Sequence, residues 1–313
     1  MTNELDDLFG ETPAPATPAK LQLLAPGVYY NLPAEEYHAD PAPKPSLSRG
    51  VICDLINNTP AHAWANHPRL NPGGVKEERD IFDIGTAAHA MFLEGVDRCE
   101  VCDFPTWQSK AAKRAKDAAR LSGKTPLLTH QYGKIKAMVQ AAHRQLAASE
   151  LGITDIHAEG EAEMTYIWEE NGTYFRARPD WISKKNIGDR RLVLDYKTTG
   201  ESASPDAFKP TAYGKDVQHA LYRQGIKAID GGKAPRFLFL VQETFPPYLC
   251  SFIGLDPQTS EIAKQKIAYG KFMWEQCFAL ENWPGYPQRV CYVESKPWEV
   301  AQWEAKAAEI GVE

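Results

Sequence analysis

Apolar and polar positions alternate most sharply between residues 163 and 197. Met164, Tyr166 and Trp168 interleave with Glu163, Thr165 and Ile167, and beyond Asn171-Gly172 the residues Phe175, Ala177 and Pro179 interleave with Arg176, Arg178 and Asp180. A period of two predicts strands, and Asn-Gly is the strongest short signal for a two-residue hairpin loop. With that loop, Glu170 faces Thr173, Trp168 faces Phe175, Tyr166 faces Ala177 and Met164 faces Pro179, which makes one side apolar. On the other side Ile167 faces Arg176, Thr165 faces Arg178 and Glu163 faces Asp180. In the next strand, LVLDYK, Leu192, Leu194 and Tyr196 share one face while Val193, Asp195 and Lys197 share the other.

Around this centre the pattern predicts helices over roughly Ser46 to Asn66 and Ile81 to Gly95, a basic alanine-rich helix, and another over Lys134 to Ser149. The linker SASPDAFKPTAYG leads to a helix in DVQHALYRQG. Strands FLFLVQET and YLCSFIGL flank Pro246-Pro247, and a long helix runs from Pro257 to Leu280. The order fits an α/β fold, a mixed central sheet flanked by helices. We divide the chain into an acidic, proline-rich tail (1–20, expected to be disordered), a main domain (21–282) and a C-terminal extension (283–313). In the extension Pro297 stands near a helix start, with Val300, Trp303, Ala307 and Ile310 on one stripe. Such a stripe packs on its own domain, the commoner outcome, or docks another subunit or a partner. The acidic LDDLFG near the N-terminus is a second partner-binding candidate.

The chemistry lies in how the charges fall on these strands. Directly opposed residues have Cβ atoms roughly 5 Å apart, so Glu163 and Asp180 repel unless a cation joins them. Asp195 and Lys197 stand roughly 7 Å apart along a strand otherwise apolar enough to be buried. Burying such charges costs several kcal/mol without compensation, and a divalent metal and a phosphodiester would compensate both. Glu163, Asp180 and Asp195 therefore form a ligand set for Mg²⁺, a hard cation that takes carboxylate oxygens, with Mn²⁺ expected to substitute. Lys197 would position or deprotonate the attacking water and neutralise charge on the phosphate. Arg176 and Arg178, on the same face, would meet phosphate oxygens. Alone, an Asp-x-Lys at a strand end is usually a solvated turn; Pro179-Asp180 fifteen positions earlier and the Glu163 pairing set this one apart.

These residues resemble the PD-(D/E)XK nuclease superfamily, with Pro179-Asp180 as the PD and Asp195-Tyr196-Lys197 as the D-x-K. His89 in GTAAHAMFLEG is similar to the G-x-x-x-H helix of RecB-like nucleases, and Gln218 with Tyr222 to their Q-x-x-x-Y motif. The stretch GVYYNLPAEEYHADPAPKPSLSRGVICDLINNTPAHAWA is similar to the leader of RecE-type exonuclease VIII domains. The resemblance implies His89 as a further metal ligand and Gln218 and Tyr222 as catalytic-site groups. Taken without the family, a lone helical histidine is as readily a core or surface residue, and Gln218 with Tyr222 an ordinary amphipathic helix. The resemblance further implies a phage-type recombination enzyme. Such an enzyme processively degrades the 5′-ended strand of duplex DNA, leaves a 3′ overhang for a single-strand annealing recombinase, and assembles as a ring, a trimer or tetramer.

Composition bounds the reading. The chain has 313 residues, 43% hydrophobic and 24% charged, with no apolar run long enough for a membrane span. The N-terminal stretch lacks the basic and apolar regions of a signal peptide, so a cytoplasmic protein without membrane partners is expected. A net charge of -6 runs against DNA binding, where cations displace condensed counterions. The exception is residues 109–124, where Lys110, Lys113, Arg114, Lys116, Arg120 and Lys124 face only Asp117, a local charge of +5. Beside it Trp107 could stack on a base. A solvated helix is the plain alternative; standing out against an acidic background, the segment is expected to line the DNA path. Six cysteines include Cys99-Glu-Val-Cys102, but Cys277 and Cys291 lack the close spacing of a four-cysteine cluster, so reduced thiols and no iron–sulfur cluster are expected. Two other functions stay open: an endonuclease or single-strand nuclease on the same site, and a non-catalytic DNA-end-binding scaffold.

Overall fold

A computed structural model of the chain describes residues 21–74 and 83–311. The N-terminal tail with LDDLFG and the expected helix start at Ile81 lie outside the described residues. The chain begins with β1 (Gly27–Tyr29), α1 (Ala34–His38), β2 (Ser46–Leu47), α2 (Arg49–Asn57) and α3 (Pro60–Asn66). Next come α4 (Asp83–His89), which continues as a π-helical turn (Ala90–Glu94), β3 (Cys99–Cys102), α5 (Lys110–Leu121), β4 (Thr125–Leu128), α6 (Thr129–Ala147) and α7 (Ile156–Glu159). The centre holds β5 (Gly160–Ala162), β6 (Thr165–Glu170), β7 (Thr173–Ala177), β8 (Trp181–Ser183) and β9 (Leu192–Thr199). It ends with α8 (Lys215–Asp230), β10 (Arg236–Glu243), β11 (Cys250–Ile253), α9 (Pro257–Ala279) and α10 (Pro297–Glu309).

The stretch expected to be helical from Ser46 to Asn66 is divided. Ser46-Leu47 pairs with β7, the Ser48 hydroxyl caps α2, and α3 starts afresh with Pro60 in its first turn. Proline suits that position because its missing N–H would find no intrahelical partner there.

A five-stranded mixed sheet has the order β11-β10-β9-β8-β5, with β9 and β10 parallel and the other pairs antiparallel. A four-stranded sheet has the order β1-β6-β7-β2, and β3 and β4 form a small parallel pair. The Asn171-Gly172 hairpin adopts the expected register, Tyr166 opposite Ala177, Ile167 opposite Arg176, Trp168 opposite Phe175 and Glu170 opposite Thr173. That register outlasts the hairpin: Ala162 faces Trp181 and Gly160 faces Ser183 in the other sheet. One long two-stranded ribbon therefore passes from the four-stranded sheet into the five-stranded one, and the crossing falls at Glu163 and Asp180.

The alternation along β9 and β10 sorts residues into two cores. Val193, Phe237, Phe239 and Val241 join α2, α8, α9 and the hairpin stripe Tyr166, Trp168, Phe175 and Ala177. Leu192, Leu194, Tyr196, Leu238 and Leu240 join α4, the π turn and α6. The central sheet is thus covered on both faces, so a charge on β9 can reach solvent only near the strand's end.

The outer face of the hairpin is covered as well, which overturns the expected DNA contact of Arg176. Arg176 is 4% exposed and pairs with the fully buried Asp40, Nη1 to Oδ1 2.9 Å, while donating to the Ser46 carbonyl at 3.0 Å. Asp40 also pairs with His67 at 3.3 Å and accepts from the Ser46 N–H and hydroxyl. The leader is thereby clamped on the ribbon. The C-terminal stripe, for which packing on its own domain is the commoner outcome, is not buried: Val300 and Trp303 of α10 and Ile310 just after it are exposed, and Ala307 is half-buried. Chain packing instead runs slightly past the expected boundary at 282, since Trp283 packs on the first core and the Pro284 carbonyl accepts from Ala61 N–H.

Replacing Asp40 by alanine leaves Arg176 buried without its counter-charge and His67 without its partner, so we expect a loss of about 3–5 kcal/mol. Urea denaturation should show a lower midpoint with an unchanged slope. Burial pushes the Asp40 carboxyl up, but His67, Arg176 and Ser46 outweigh it and hold it below its usual value. Its stabilisation is therefore present above the unfolded aspartate pKa of about 3.9 and is lost as pH falls through the lower folded value.

Candidate active site

The crossing of the ribbon builds the site. Glu163 has φ +55, a left-handed conformation that a non-glycine residue holds at a cost of about 1–3 kcal/mol. Its N–H still donates to the Asp180 carbonyl at 3.1 Å, so the two residues remain opposed while the chain turns out of one sheet into the other. Arg178 ion-pairs with Glu163, which leaves it on the expected face but committed to a carboxylate. From the neighbouring strand the Tyr196 N–H donates to Asp180 Oδ2 at 2.9 Å, which fixes the aspartate beside Asp195 and Lys197.

His89 arrives from the other side. Gly85 sits where a Cβ would come within 3.1 Å of Thr198 Oγ1, so α4 lies close against β9 and brings His89, one turn later, to the carboxylates. Its Nε2 is 3.4 Å from Asp180 and 3.5 Å from Glu163. Glu94, which the sequence pattern did not single out, joins them: ligand atoms of His89, Glu94 and Glu163 all lie within 4.8 Å of one another. On an α-helix a residue five positions on points well away; the wider π turn over Ala90–Glu94 brings it back to the same side.

Lys197 Nζ contacts Asp195 and lies 3.6 Å from Asp180 Oδ2. Asp195 is fully buried, and its Oδ1 is the oxygen that meets the Lys197 ammonium. The Gln218 amide donates to the other oxygen, Oδ2. Gln218 therefore acts through Asp195 as a positioning residue. Tyr222, one turn further along α8, is 7% exposed and packs against Phe237 in the first core. Of the two motif residues, therefore, Gln218 bonds to a carboxylate of the site and Tyr222 packs in the core. Arg49, at the start of α2, is a cation the sequence pattern missed; its charge bears on both Asp195 and Lys197.

Electrostatically the carboxylates divide. Burial pushes Asp180 up, but Lys197, His89 and the Tyr196 amide outweigh it and hold Asp180 well below the usual range. Burial and the Asp180 charge push Asp195 up, against Lys197. Burial opposes the charge on His89, yet its hydrogen bond to Asp180 and the charges of Asp180 and Glu163 raise it to about 9. Burial and Asp180 also raise Glu163. Carboxylates crowded at this density around one imidazole fit a hard divalent cation. Asp180, Asp195, Glu163, Glu94 and His89 are the groups that could hold it.

A cleft of about 590 Å³ opens from this cluster, lined by Gly85, His89, Glu94, Arg98, Lys197 and Thr198 and reaching Gly123 and Thr125. Its far wall thus lies just beyond the C-terminal end of the basic α5. Lys110, Lys113 and Arg114 are exposed on that helix, and Lys116 Nζ covers the Trp107 ring at 5.5 Å. Trp107 is half-buried and has a cation on one face already. Cys99 and Cys102 are free thiols three positions apart on β3, so they point to opposite faces.

A family model described as a PDDEXK-like domain of unknown function (DUF3799) matches residues 53–296. The chain belongs to this family. A solved Eubacterium rectale structure, described as a "putative exonuclease", is similar with a TM-score of 0.50 at 13% identity, covering 87% of this chain and 98% of its own. At that identity the likeness speaks for the fold, and it agrees with the mixed sheet and flanking helices seen here. No curated protein matches the sequence. The PDDEXK-like assignment accords with the motif residues: Pro179-Asp180 and Asp195-Tyr196-Lys197 occupy one site, and their side chains support nuclease activity. No described helix is long and apolar enough to cross a membrane.

Because Gln218 orients the ligand Asp195 and Glu94 is itself one of the groups that could hold the cation, Gln218→Leu and Glu94→Gln should each weaken divalent-ion binding about 10- to 100-fold. Calorimetric titration with Mn²⁺ measures this directly, and wild-type affinity in both variants would remove these residues from the site.

Proposed function

We propose that this protein is a Mg²⁺-dependent exonuclease acting on the ends of double-stranded DNA. The observation that carries the reading is the convergence of Asp180, Asp195 and Glu163 with His89, Glu94 and Lys197, the last three of which line an open cleft. When bound, the cation supplies a more acidic water and stabilises charge on the phosphate and the departing oxygen. Lys197, one-third exposed at the mouth of the buried Asp195, faces the cleft and meets the attacked phosphate or its water. Burial opposes its charge, but Asp180 and Asp195 more than compensate and raise its pKa, so it works first as a fixed positive charge rather than a base.

On this reading the 5′-ended strand is removed processively and the 3′ overhang passes to a single-strand annealing recombinase, in a ring of three or four copies. The leader resemblance favours this specificity, as does a basic helix beside the cleft. Mn²⁺ substitutes for Mg²⁺, and the protein works in the cytoplasm of a bacterial or phage-infected cell. An endonuclease or single-strand enzyme on the same site is the main rival. The intact Asp–Asp–Lys set argues against a scaffold without turnover.

Linear duplex labelled separately at its 5′ and 3′ ends, digested beside closed circles, separates these readings. We expect Mg²⁺-dependent loss of the 5′-ended strand, spared circles, no activity in EDTA, and a fall of at least about 100-fold in Asp195→Ala and Lys197→Ala. Cut circles would establish the endonuclease, and binding without cleavage the scaffold.

Reversing Lys113 and Arg114 to glutamate should weaken duplex binding and reduce the slope of log affinity against log salt by about 2, nearly one for each phosphate no longer neutralised. An unchanged salt slope would take α5 off the DNA path.

A further inference from the structure

The segment Phe208 to Lys215, which joins β9 to α8, displays an aromatic ring that the fold does not use. Tyr213 is 87% exposed. Its backbone is nevertheless held in a left-handed conformation, φ +56, followed by Gly214 at φ +66. A side-chain-bearing residue carries strain there that glycine or asparagine would largely avoid.

The backbone around it is fixed from several directions. Arg49 donates to the Tyr213 carbonyl. Gly214 lies so close to Cys53 that a Cβ would fall 2.3 Å from its sulfur. The Asp216 N–H donates to the Pro210 carbonyl at 2.9 Å, and Lys215 Nζ to the Lys209 carbonyl at 3.2 Å. An immobilised loop with a solvent-facing ring differs from a surface tyrosine on a loose connection.

Its surroundings select the ligand. The charged residues from Phe208 to Lys215 are Lys209 and Lys215, with Arg49 beside them, and Lys215 Nζ lies 5.5 Å from the Tyr213 ring centre. The nearby Asp216 is buried and ion-paired with Lys266. Tyr213 also stands close to the chemistry, five residues before Gln218 on the helix that holds Asp195. Tyr213 itself lies just outside that helix, whose first residue, Lys215, is three positions or roughly 4.5 Å along the axis from Gln218. The charges of Arg49 and Lys215 interact with Lys197 and Asp195.

Resting on the nuclease reading above, we propose that Tyr213 is the stacking platform for an unpaired nucleobase next to the phosphodiester being cut, with Arg49, Lys209 and Lys215 facing that strand's backbone. The ligand class is single-stranded DNA at or next to a duplex end. A flat aromatic face accepts any base, so this contact holds the strand without reading its sequence.

The test uses the full chain and two readouts. Steady-state kinetics of wild type, Tyr213→Ala, Tyr213→Phe and Tyr213→Trp on linear duplex should show kcat/KM down on the order of 5- to 150-fold in alanine, the cost of removing one base stack. Phenylalanine and tryptophan should restore most of it. All four should share a melting temperature within a degree or two, because the ring packs on little. The second readout is binding alone, in a Lys197→Ala background: DNA with 2-aminopurine in a short single-stranded end should be quenched with Tyr213 present and not with Tyr213→Ala. Wild-type kinetics and quenching in the alanine variant would overturn the proposal, as would a loss that phenylalanine does not rescue. A chain that cuts no DNA yet quenches through Tyr213 would refute the nuclease reading and leave the stacking platform standing. Cleavage indifferent to Tyr213 does the reverse.

Discussion

Asp180 is held by three parts of the chain at once. Its carboxylate accepts the Tyr196 N–H from β9, lies within 3.4 Å of His89 from α4 and 3.6 Å of Lys197, while its carbonyl accepts the Glu163 N–H across the ribbon. The contacts come from three places, β9, α4 and the turn at Glu163, so the relative placement of the two sheets and α4 converges on one residue. A carboxylate this buried stays ionised only because those partners surround it, and removing any one returns part of the desolvation cost. The site and the junction of the two sheets are therefore one structure. The left-handed backbone at Glu163 belongs to the same arrangement, since the turn that separates the sheets is what sets Glu163 beside His89 and Arg178.

Much of this was readable from local pattern. Asn171-Gly172 sets the hairpin register, and because side chains alternate strictly, the register carries to Glu163 and Asp180 without knowledge of the rest of the fold. The pattern held further than the hairpin alone required, into the pairing of β5 with β8. LVLDYK likewise announced its faces, although both turned out to be covered by apolar layers. The PDDEXK-like family assignment agrees with the motif residues on which this reading was built.

What local pattern could not carry were pairings between distant segments and departures from ideal helix geometry. Arg176 reads as an exposed cation on the ribbon's polar face, and only the leader, folded back to place Asp40 against it, makes it a buried structural group. Nothing in the spacing of residues 40 and 176 signals that ion pair. Glu94 escaped because helical reasoning assumes 3.6 residues per turn, and the π turn after His89 changes which residues are neighbours. Arg49 escaped because its relation to Asp195 runs through three-dimensional packing of the leader on α8. Gln218 was found through its motif, but that its amide donates to Asp195 is visible only in the fold.

The overall acidity of the chain takes on a different meaning once its cations are located. A net charge of -6 repels a DNA backbone from most of the surface, and this repulsion is weak beyond a Debye length of about 8–10 Å. Close to the cleft the balance changes: α5 carries exposed Lys110, Lys113 and Arg114 beyond one wall, while Lys215 and Arg49 bear on Lys197 and Asp195. A uniformly basic protein would hold duplex in many non-productive orientations. On the proposed nuclease reading, confining positive potential to the surroundings of the buried carboxylate cluster would favour phosphate there over phosphate elsewhere, so acidity of the remaining surface would improve discrimination while lowering total affinity.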